Sequence, residues 1–472
     1  MITFILSILI LVGGYFIYGK FVENTFGIDE LRKTPALAME DGVDYVPMSW
    51  PKIFLIQFLN IAGLGPIFGA VAGALWGPAA FLWIVFGCLF AGAVHDYFSG
   101  VLSMRHEGTS VSEIVGIYLG ENARKIMRVF SVVLLVLVGV VFVKGPAGLL
   151  SNLTGMDSMI WVGIIVIYYL LATVLPVDQI IGKIYPVFGA SLLIMAFGIA
   201  GGIIFKGYHI PEVTLANLHP SHTPIFPYLF ITIACGAISG FHATQSPLMA
   251  RCVKTEKDAR RVFYGSMVAE GIIALIWAAA AIAFFGGTEG LAVNLASGGP
   301  GVVVNTISVT LLGKVGGALA LLGVVACPIT SGDTAFRSAR LVIADSIKMN
   351  QTKIMNRFYI SIPLFAIGIG LTFINFDIIW RYFSWSNQTL AMIMLWASAA
   401  YLAKENKLHY ICSIPAAFMT AVTVSYIIQA PEGFKMPAMM SNIVGVICAV
   451  VLYGLFLKKA ESNNIEKVEK SA

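Results

Sequence analysis

Charged residues are scarce in this chain: Asp, Glu, Lys and Arg make up 12% of its 472 residues, while 58% are hydrophobic. The mean hydropathy is +0.86. A soluble globular domain carries about 25% charged residues, so this composition indicates an all-α polytopic membrane protein surrounded by lipid. The net charge of +5 comes from Lys and Arg in short loops between apolar segments. That is the positive-inside pattern of membrane proteins, so we expect no nucleic-acid partner.

Cysteine motifs and catalytic motifs are missing as well. The six cysteines are scattered and form no C-x-x-C pair, which favours apolar packing residues over metal ligands or disulfides. The chain contains no G-x-S-x-G, H-E-x-x-H or G-x-x-x-x-G-K-[ST] sequence. These absences argue against a hydrolase, a zinc protease and a nucleotide-driven pump. We therefore expect no enzyme and no cofactor, and a gradient of H⁺ or Na⁺ as the source of energy.

Long apolar segments are what the sequence has in abundance. About twenty residues are needed to cross a bilayer. We count about thirteen such segments, at 2–19, 53–76, 79–103, 127–150, 158–175, 187–207, 225–247, 263–286, 315–331, 358–374, 385–403, 409–429 and 441–457. Lys and Arg cluster in alternate loops, which predicts the N-terminus outside and the C-terminus in the cytosol. The polar tail 458–472 is expected in the cytosol without a fixed structure.

Two of these segments contain helix-disrupting runs near the middle, at 61–66 and at 234–242. Backbone that leaves a helix inside hydrocarbon strands polar groups unless it is buried in protein or lines a cavity. A matched pair of such breaks is a pointer to the binding site of a transporter. The sequence therefore predicts two discontinuous helices.

The number of spans between the two breaks sets their relative direction. The second broken span comes five spans after the first, so the second broken helix is inverted relative to the first. We expect one transmembrane domain over 1–457 with a 5+5 inverted-repeat core, the repeats lying at about 53–207 and 225–403. The Gly-rich stretch 287–300 is expected to be a loop that leads into a short re-entrant helix at 301–312.

Half-helix ends at mid-membrane can bind charged groups. Free N–H groups at a new N-terminus attract a carboxylate, and free C=O groups at an old C-terminus attract a cation or a proton donor. The alternative is that the glycines only permit close helix packing. The candidate substrate-binding residues are Gly63, Leu64, Gly65, Pro66, Gly236, Ser239, Gly240, Phe241, His242 and Gln245.

Polar and ionisable residues inside spans are the second signal, because each is costly in lipid. The candidate ion-coupling residues are His95, Asp96, Thr330, Ser331, Asp333 and Thr334. The oxygens of Ser331, Asp333 and Thr334 suit either a proton or sodium, although Asp333 could equally cap the following helix. Neighbours on a helix point about 100° apart, so His95 and Asp96 form no dyad alone and need a third group. Glu270 could pair with the basic loop beside it.

The signature blocks of the chain resemble those of the carbon starvation protein A (CstA) family. These blocks are 34–36, 41–47, 61–67, 92–97, 234–242 and 386–388. The resemblance implies a bacterial inner-membrane transporter with a LeuT-like 5+5 core. The implied substrates are pyruvate-like carboxylates or short peptides, imported with protons during carbon starvation. After His242 the chain reads Ala-Thr-Gln-Ser-Pro, where long members of the family carry a Ser-Gly-Thr-Thr type run.

Two other functions remain open at this point. One is a sodium-coupled amino-acid transporter, and the other is a non-transporting sensor or channel with the same spans. A channel would need no paired substrate and ion sites, and its flux would not respond to an imposed gradient.

Overall fold

The structure is a computed structural model that describes the chain except for Val43, Leu175, Pro176, Asn350, Thr352 and Ala472. For residues 173, 174, 177–186, 321 and 462–471 it describes the backbone alone. In the part of the chain so described, all regular structure is helical, and the one β-type pairing is an isolated bridge between Met48 and Val253. This confirms the all-α class.

Besides the short helical segments Pro35–Ala38 and Leu321–Ala326, seventeen helices of the described residues are numbered here in chain order. They are α1 Ile2–Phe26, α2 Trp50–Ile61, α3 Gly65–Trp76, α4 Ala79–Arg105, α5 Val111–Leu119, α6 Glu121–Thr154, α7 Ser158–Val174, α8 Val177–Phe205, α9 Tyr228–Thr232, α10 Gly240–Ala250, α11 Glu256–Phe284, α12 Thr288–Ala320, α13 Cys327–Ser346, α14 Ile354–Thr372, α15 Phe376–Lys404, α16 Tyr410–Gln429 and α17 Ala438–Ser471.

The expected count of thirteen spans is not confirmed. Among the described residues, nine helices are long and apolar enough to cross a membrane, or ten if α2 and α3 form one bent span. The other windows meet that test less well, because α7 is short, α9 and α10 are two small pieces, and α15 carries buried polar residues. Hydropathy alone does not detect a span whose polar side chains face the protein.

Both predicted breaks are present. The first separates α2 from α3, and the axes of these two helices differ by 55°. The second is the non-helical stretch between α9 and α10, in which Gly236 has φ of +89°. The two breaks lie against each other, since a Cβ atom on Gly65 would come within 2.2 Å of the Cβ of Cys235. Only glycine at position 65 allows this approach.

The Gly-rich segment before the expected re-entrant helix differs from the prediction. Helix α12 begins at Thr288, so the expected loop is itself mostly helical. Non-helical angles at Gly298 and Gly299 end this first piece, and Gly313 ends a second piece. That second piece matches the short helix predicted at 301–312. Gly299 and Gly313 have positive φ, the conformation that glycine adopts at least cost.

The polar tail also differs from the prediction, because α17 continues as a helix to Ser471. No Pro or Gly follows Gly454 in this part of the chain. An existing helix adds residues without paying the cost of a new nucleus. A polar sequence directly after a span can therefore extend its helix.

Burial separates a core from a periphery. In the most apolar windows of α4 and α11, 83% of the residues are buried inside the protein, against 22% in α1 and 17% in α17. Side chains of α1 and α17 therefore face outward, where lipid is the apolar surrounding. The breaks lie beside α4 and α11, in the part of the molecule with the least exposure.

Candidate functional site

Four ionisable side chains form a buried chain beside the second break. His95 and Asp96 lie on α4, His242 on α10 and Glu270 on α11, and all four are fully buried. His95 Nδ1 is 2.8 Å from Asp96 Oδ1, and His242 Nδ1 is 2.8 Å from Asp96 Oδ2. His242 Nε2 is 3.3 Å from Glu270 Oε2. His242 is thus the third group that His95 and Asp96 needed.

Two glycines bring the three helices close enough for this chain to form. A Cβ atom on Gly92, one turn before Asp96, would lie 2.1 Å from the carbonyl oxygen of Ala237 in the second break. A Cβ atom on Gly271, next to Glu270, would lie 2.7 Å from Cys88 Sγ. Close approach of α4 and α11 therefore depends on missing side chains beside the acidic positions. Glu270 faces His242, and the alternative of a pair with the basic loop is wrong.

The hydrogen-bond pattern assigns the protons. A carboxylate only accepts, so both imidazoles donate their Nδ1–H groups to Asp96. The neutral ring of His242 then presents the lone pair of Nε2 toward Glu270. His242 Nε2 and Glu270 Oε2 lie 3.3 Å apart. A proton bound between them would be carried either by the imidazolium or by the carboxylic acid.

Charge counting shows why that proton matters. With both carboxylates ionised and both imidazoles neutral, the buried cluster carries two negative charges, and one shared proton reduces this to one. Unpaired charge in a dry interior is strongly unfavourable. Ligand atoms of Cys235, His242 and Glu270 lie within 4.8 Å of one another, a spacing that a metal ion could bridge. Asp96 Oδ2 faces the other nitrogen of His242, Nδ1, and a role of the cluster in ion coupling stays a prediction.

The predicted substrate residues lie around the two breaks, but they differ in their surroundings. At the first break, Gly63 packs on the Phe142 ring, Leu64 lies over Gly145, and Pro66 lies beside Gly236. At the second break, a Cβ atom on Gly240 would lie 2.4 Å from the carbonyl oxygen of Asn387. Gly240 therefore does serve close helix packing, the alternative left open above.

The N-terminus of α10 already has an internal partner. The backbone N–H of Phe241 donates to Asn387 Oδ1 at 2.7 Å, and Ser239 Oγ donates to the same oxygen at 3.2 Å. Gln245 lies one turn inside α10, where its Nε2 donates to Thr244 Oγ1 at 3.0 Å. The substrate role of these residues stays a prediction. Sequence reasoning gave no role to Asn387, although adjacent amides at 387 and 388 inside a span were a signal.

The predicted ion-coupling residues on α13 do not converge on one point, because their side chains have different partners. Ser331 Oγ donates to the carbonyl oxygen of Leu59, at the end of α2, at 3.2 Å. Thr330 and Thr334 donate their hydroxyls to carbonyls of their own helix. The carboxylate of Asp333 faces Arg337, with Oδ2 3.5 Å from Nη2. Only Ser331 reaches the first break, and the ion-coupling role of this cluster stays a prediction.

A cavity of about 470 Å³ leads to the first break. Its walls come from α3, α6, α7, α12 and the α14–α15 connection, and they include Phe68, Lys144, Leu149, Pro300 and Asp377. Lys144 Nζ donates to the carbonyl oxygens of Thr372 and Ile374, which end α14. The larger cavity, about 770 Å³, lies among α5, α15 and α17, away from both breaks. Of these two cavities, the smaller one lies nearer the first break.

The fold places this arrangement in a known class. Two broken helices that face each other in an all-helical bundle are the architecture of LeuT-like folds. The solved structures agree. A mutant of the Eremococcus coleocola manganese transporter matches with TM-score 0.55 and 13% identity, over 87% of this chain and 94% of that chain. MhsT in complex with L-phenylalanine matches with TM-score 0.55 and 15% identity, over 87% and 99%. At these identities the likeness shows the fold alone.

The chain belongs to the family described as carbon starvation protein CstA, whose family model matches residues 1–145, 145–285 and 280–426. The peptide transporter CstA of Campylobacter jejuni is 25% identical, with 95% of this chain and 82% of that protein covered. An uncharacterized membrane protein of Haemophilus influenzae is 44% identical, with 63% of this chain and 95% of that protein covered.

The pyruvate/proton symporter BtsT of Escherichia coli is 26% identical to this chain, with 57% of this chain covered. The match spans 47% of BtsT, about half of its length. Together with the fold and the family, these relatives show a multi-pass membrane transporter whose named relatives are bacterial.

Proposed function

We propose that the chain is a secondary active transporter that imports a small carboxylate of the pyruvate type, or short peptides, together with protons. The observation that carries the proposal is the buried chain from His95 through Asp96 and His242 to Glu270. The activities in the names of two relatives, peptide transport and pyruvate/proton symport, support the substrate class and the coupling ion. We place the protein in a bacterial cytoplasmic membrane, with its N-terminus outside and its C-terminus in the cytosol.

Coupling follows from where the proton and the substrate would sit. His242 is the third residue of α10, whose N-terminus begins at Gly240. A carboxylate bound at this N-terminus would lie close to the His242–Glu270 pair. Adding a proton removes negative charge there, so it strengthens the binding of an anion. By linkage, the bound anion strengthens the binding of the proton by the same factor.

The smaller cavity offers the substrate a route toward the first break. Its wall includes Phe68, a residue of α3 in the turn after that break. Lys144 and Asp377 line its walls, so both signs of charge meet an entering molecule. A zwitterionic peptide and a simple carboxylate can each find a partner of opposite charge on this route.

Reconstituted liposomes test the proposal. With an inward proton gradient, the protein should accumulate labelled pyruvate or dialanine, and a dissipating ionophore should abolish the accumulation. Glu270→Gln removes the acid that shares the proton with His242. We expect this variant to lose concentrative uptake while it keeps gradient-free exchange, because Gln is neutral like the protonated acid and leaves the N-terminus of α10 in place. Glu289→Gln, at an exposed position on α12, is the matched control and should behave as the unmodified protein.

Three results would count against the proposal. Exchange of an uncharged solute, with none of pyruvate or dialanine, would remove the substrate class. Accumulation driven by sodium and indifferent to the proton gradient would favour the sodium-coupled alternative, with Ser331 at the carbonyl of Leu59 as the starting point for its site. Flux that neither saturates nor responds to any gradient would indicate a channel.

A further inference from the structure

Two consecutive amides of α15 hold both ends of the second break. Gln388 Nε2 donates to the carbonyl oxygen of Phe230, on α9, at 2.8 Å. Asn387 Oδ1 accepts the backbone N–H of Phe241, on α10, at 2.7 Å. The carbonyls that end a helix and the N–H groups that begin one lack partners within that helix. The polypeptide of α15 supplies one partner on each side of the break.

Asn387 makes further contacts inside the break. Its Nδ2 group lies 3.0 Å from Ser239 Oγ and 3.5 Å from Cys235 Sγ. The backbone of α15 also touches the break, since Gly240 packs against the carbonyl of Asn387. Both amide side chains are fully buried. A buried polar side chain is costly in a membrane span unless it is hydrogen-bonded. These two amides are therefore better explained by their bonds to the break than by packing.

We propose that Asn387 and Gln388 form a latch between α15 and the second break, and that an anionic group of the substrate competes with Asn387 Oδ1 for the N–H of Phe241. The second half of this statement rests on the proposed function. Asn387 is then a specificity-determining residue: its neutral oxygen occupies the α10 N-terminus until a carboxylate replaces it.

The exchange favours an anion for a physical reason. Hydrogen bonds to a carboxylate are roughly twice as strong as those between neutral groups, and a helix N-terminus adds its own preference for negative charge. A neutral acceptor is therefore weak enough to be displaced and strong enough to satisfy the N–H in the absence of substrate. Gln388 keeps its bond to α9 throughout, so the break would be released from α15 on one side only.

The latch can be tested without any substrate. Cys235 is buried, and its thiol lies against the amide of Asn387. Asn387→Ala removes this cover, so we expect alkylation of Cys235 by a small maleimide to rise about tenfold. Peptide-level mass spectrometry measures the modification, and Cys412, buried on α16, is the internal control. Unchanged alkylation of Cys235 in a variant that elutes as a single species would overturn the latch.

The competition needs a second variant. Asn387→Asp has the size of the native residue and places a carboxylate at the α10 N-terminus, so pyruvate and dialanine should bind about tenfold more weakly. Asn217→Asp adds the same charge in an exposed loop and should leave binding unchanged. Equal affinity in Asn387→Asp and the unmodified protein would overturn the competition. Absence of binding by the unmodified protein would instead contradict the proposed function, while the alkylation test of the latch would stand.

Discussion

The two breaks occupy corresponding places in the fold, yet they are held in different ways. The last turn of α2 meets a hydroxyl at 3.2 Å, that of Ser331, and the thiol of Cys327 at 3.9 Å. The second break is held by two buried amides at 2.7 and 2.8 Å. The two hydrogen bonds at the second break are shorter than the contacts at the first, and one of the contacts at the first break comes from a thiol, which is a weak donor. The bonds at the second break are therefore the stronger set. The first break is therefore the more easily opened of the two.

The two breaks also differ in the charged side chains that lie near them. The chain of His95, Asp96, His242 and Glu270 lies against the second break. On the side of the first break, Asp333 is paired with Arg337 on its own helix. A paired carboxylate has less need of a proton than one in a cluster with excess negative charge. The proposed function would place proton coupling at the second break, and the following predictions test that proposal.

The largest expected effect is on packing at the two glycines. A Cβ atom at Gly240 meets the backbone of α15, which cannot move aside, whereas a Cβ atom at Gly65 meets the side chain of Cys235. Overpacking costs about 1–3 kcal/mol, and an obstacle of backbone puts Gly240→Ala at or above the upper end. Gly65→Ala should regain stability when combined with Cys235→Gly, while Gly240→Ala should not.

Thermal unfolding in detergent measures both effects. Gly163→Ala is the control, because nothing lies within 4 Å of a Cβ atom at that position. Equal losses at Gly65 and Gly240, with no rescue by Cys235→Gly, would contradict the difference between the breaks.

A smaller effect is expected from a comparison of the two acids. Glu270→Gln should remove proton-driven accumulation, whereas Asp333→Asn should leave most of it, because Asp333 serves its ion pair with Arg337. The sequence analysis placed Asp333 among the ion-coupling candidates and left Glu270 outside them. Initial rates of uptake under the same proton gradient decide between them. Loss of accumulation in Asp333→Asn, with exchange retained, would return the coupling site to α13.

The smallest effect concerns the hydroxyl at the first break. Ser331→Ala removes one hydrogen bond to Leu59, which contributes about 1 kcal/mol. We expect a modest fall in melting temperature and unchanged proton-driven uptake. The informative measurement is uptake with and without sodium at fixed pH. A strong sodium dependence that disappears in Ser331→Ala would place a sodium ion at the first break. It would then favour the first break, and not the second, as the site of ion coupling.

Particular residues show how much of the candidate site could be predicted from the sequence. Both breaks were predicted at their observed positions, because helix-disrupting runs inside apolar segments can be recognised from the sequence alone. His95, Asp96 and His242 were singled out, but their partnership was not, since 146 positions separate Asp96 from His242 along the chain. Glu270 was set aside as a neighbour of basic residues. Asn387 and Gln388 were recognised as part of a family signature block, but no role was predicted for either residue.

Composition and local pattern determine the class of this protein: an all-helical membrane bundle with two discontinuous helices. They suffice because burial of apolar residues and the cost of unpaired backbone in hydrocarbon are local properties of each segment. The tertiary structure alone decides which acids and amides meet. Asp96 faces His242, and Asn387 faces the start of α10, because glycines at 92 and 240 let helices from distant parts of the chain approach within contact distance.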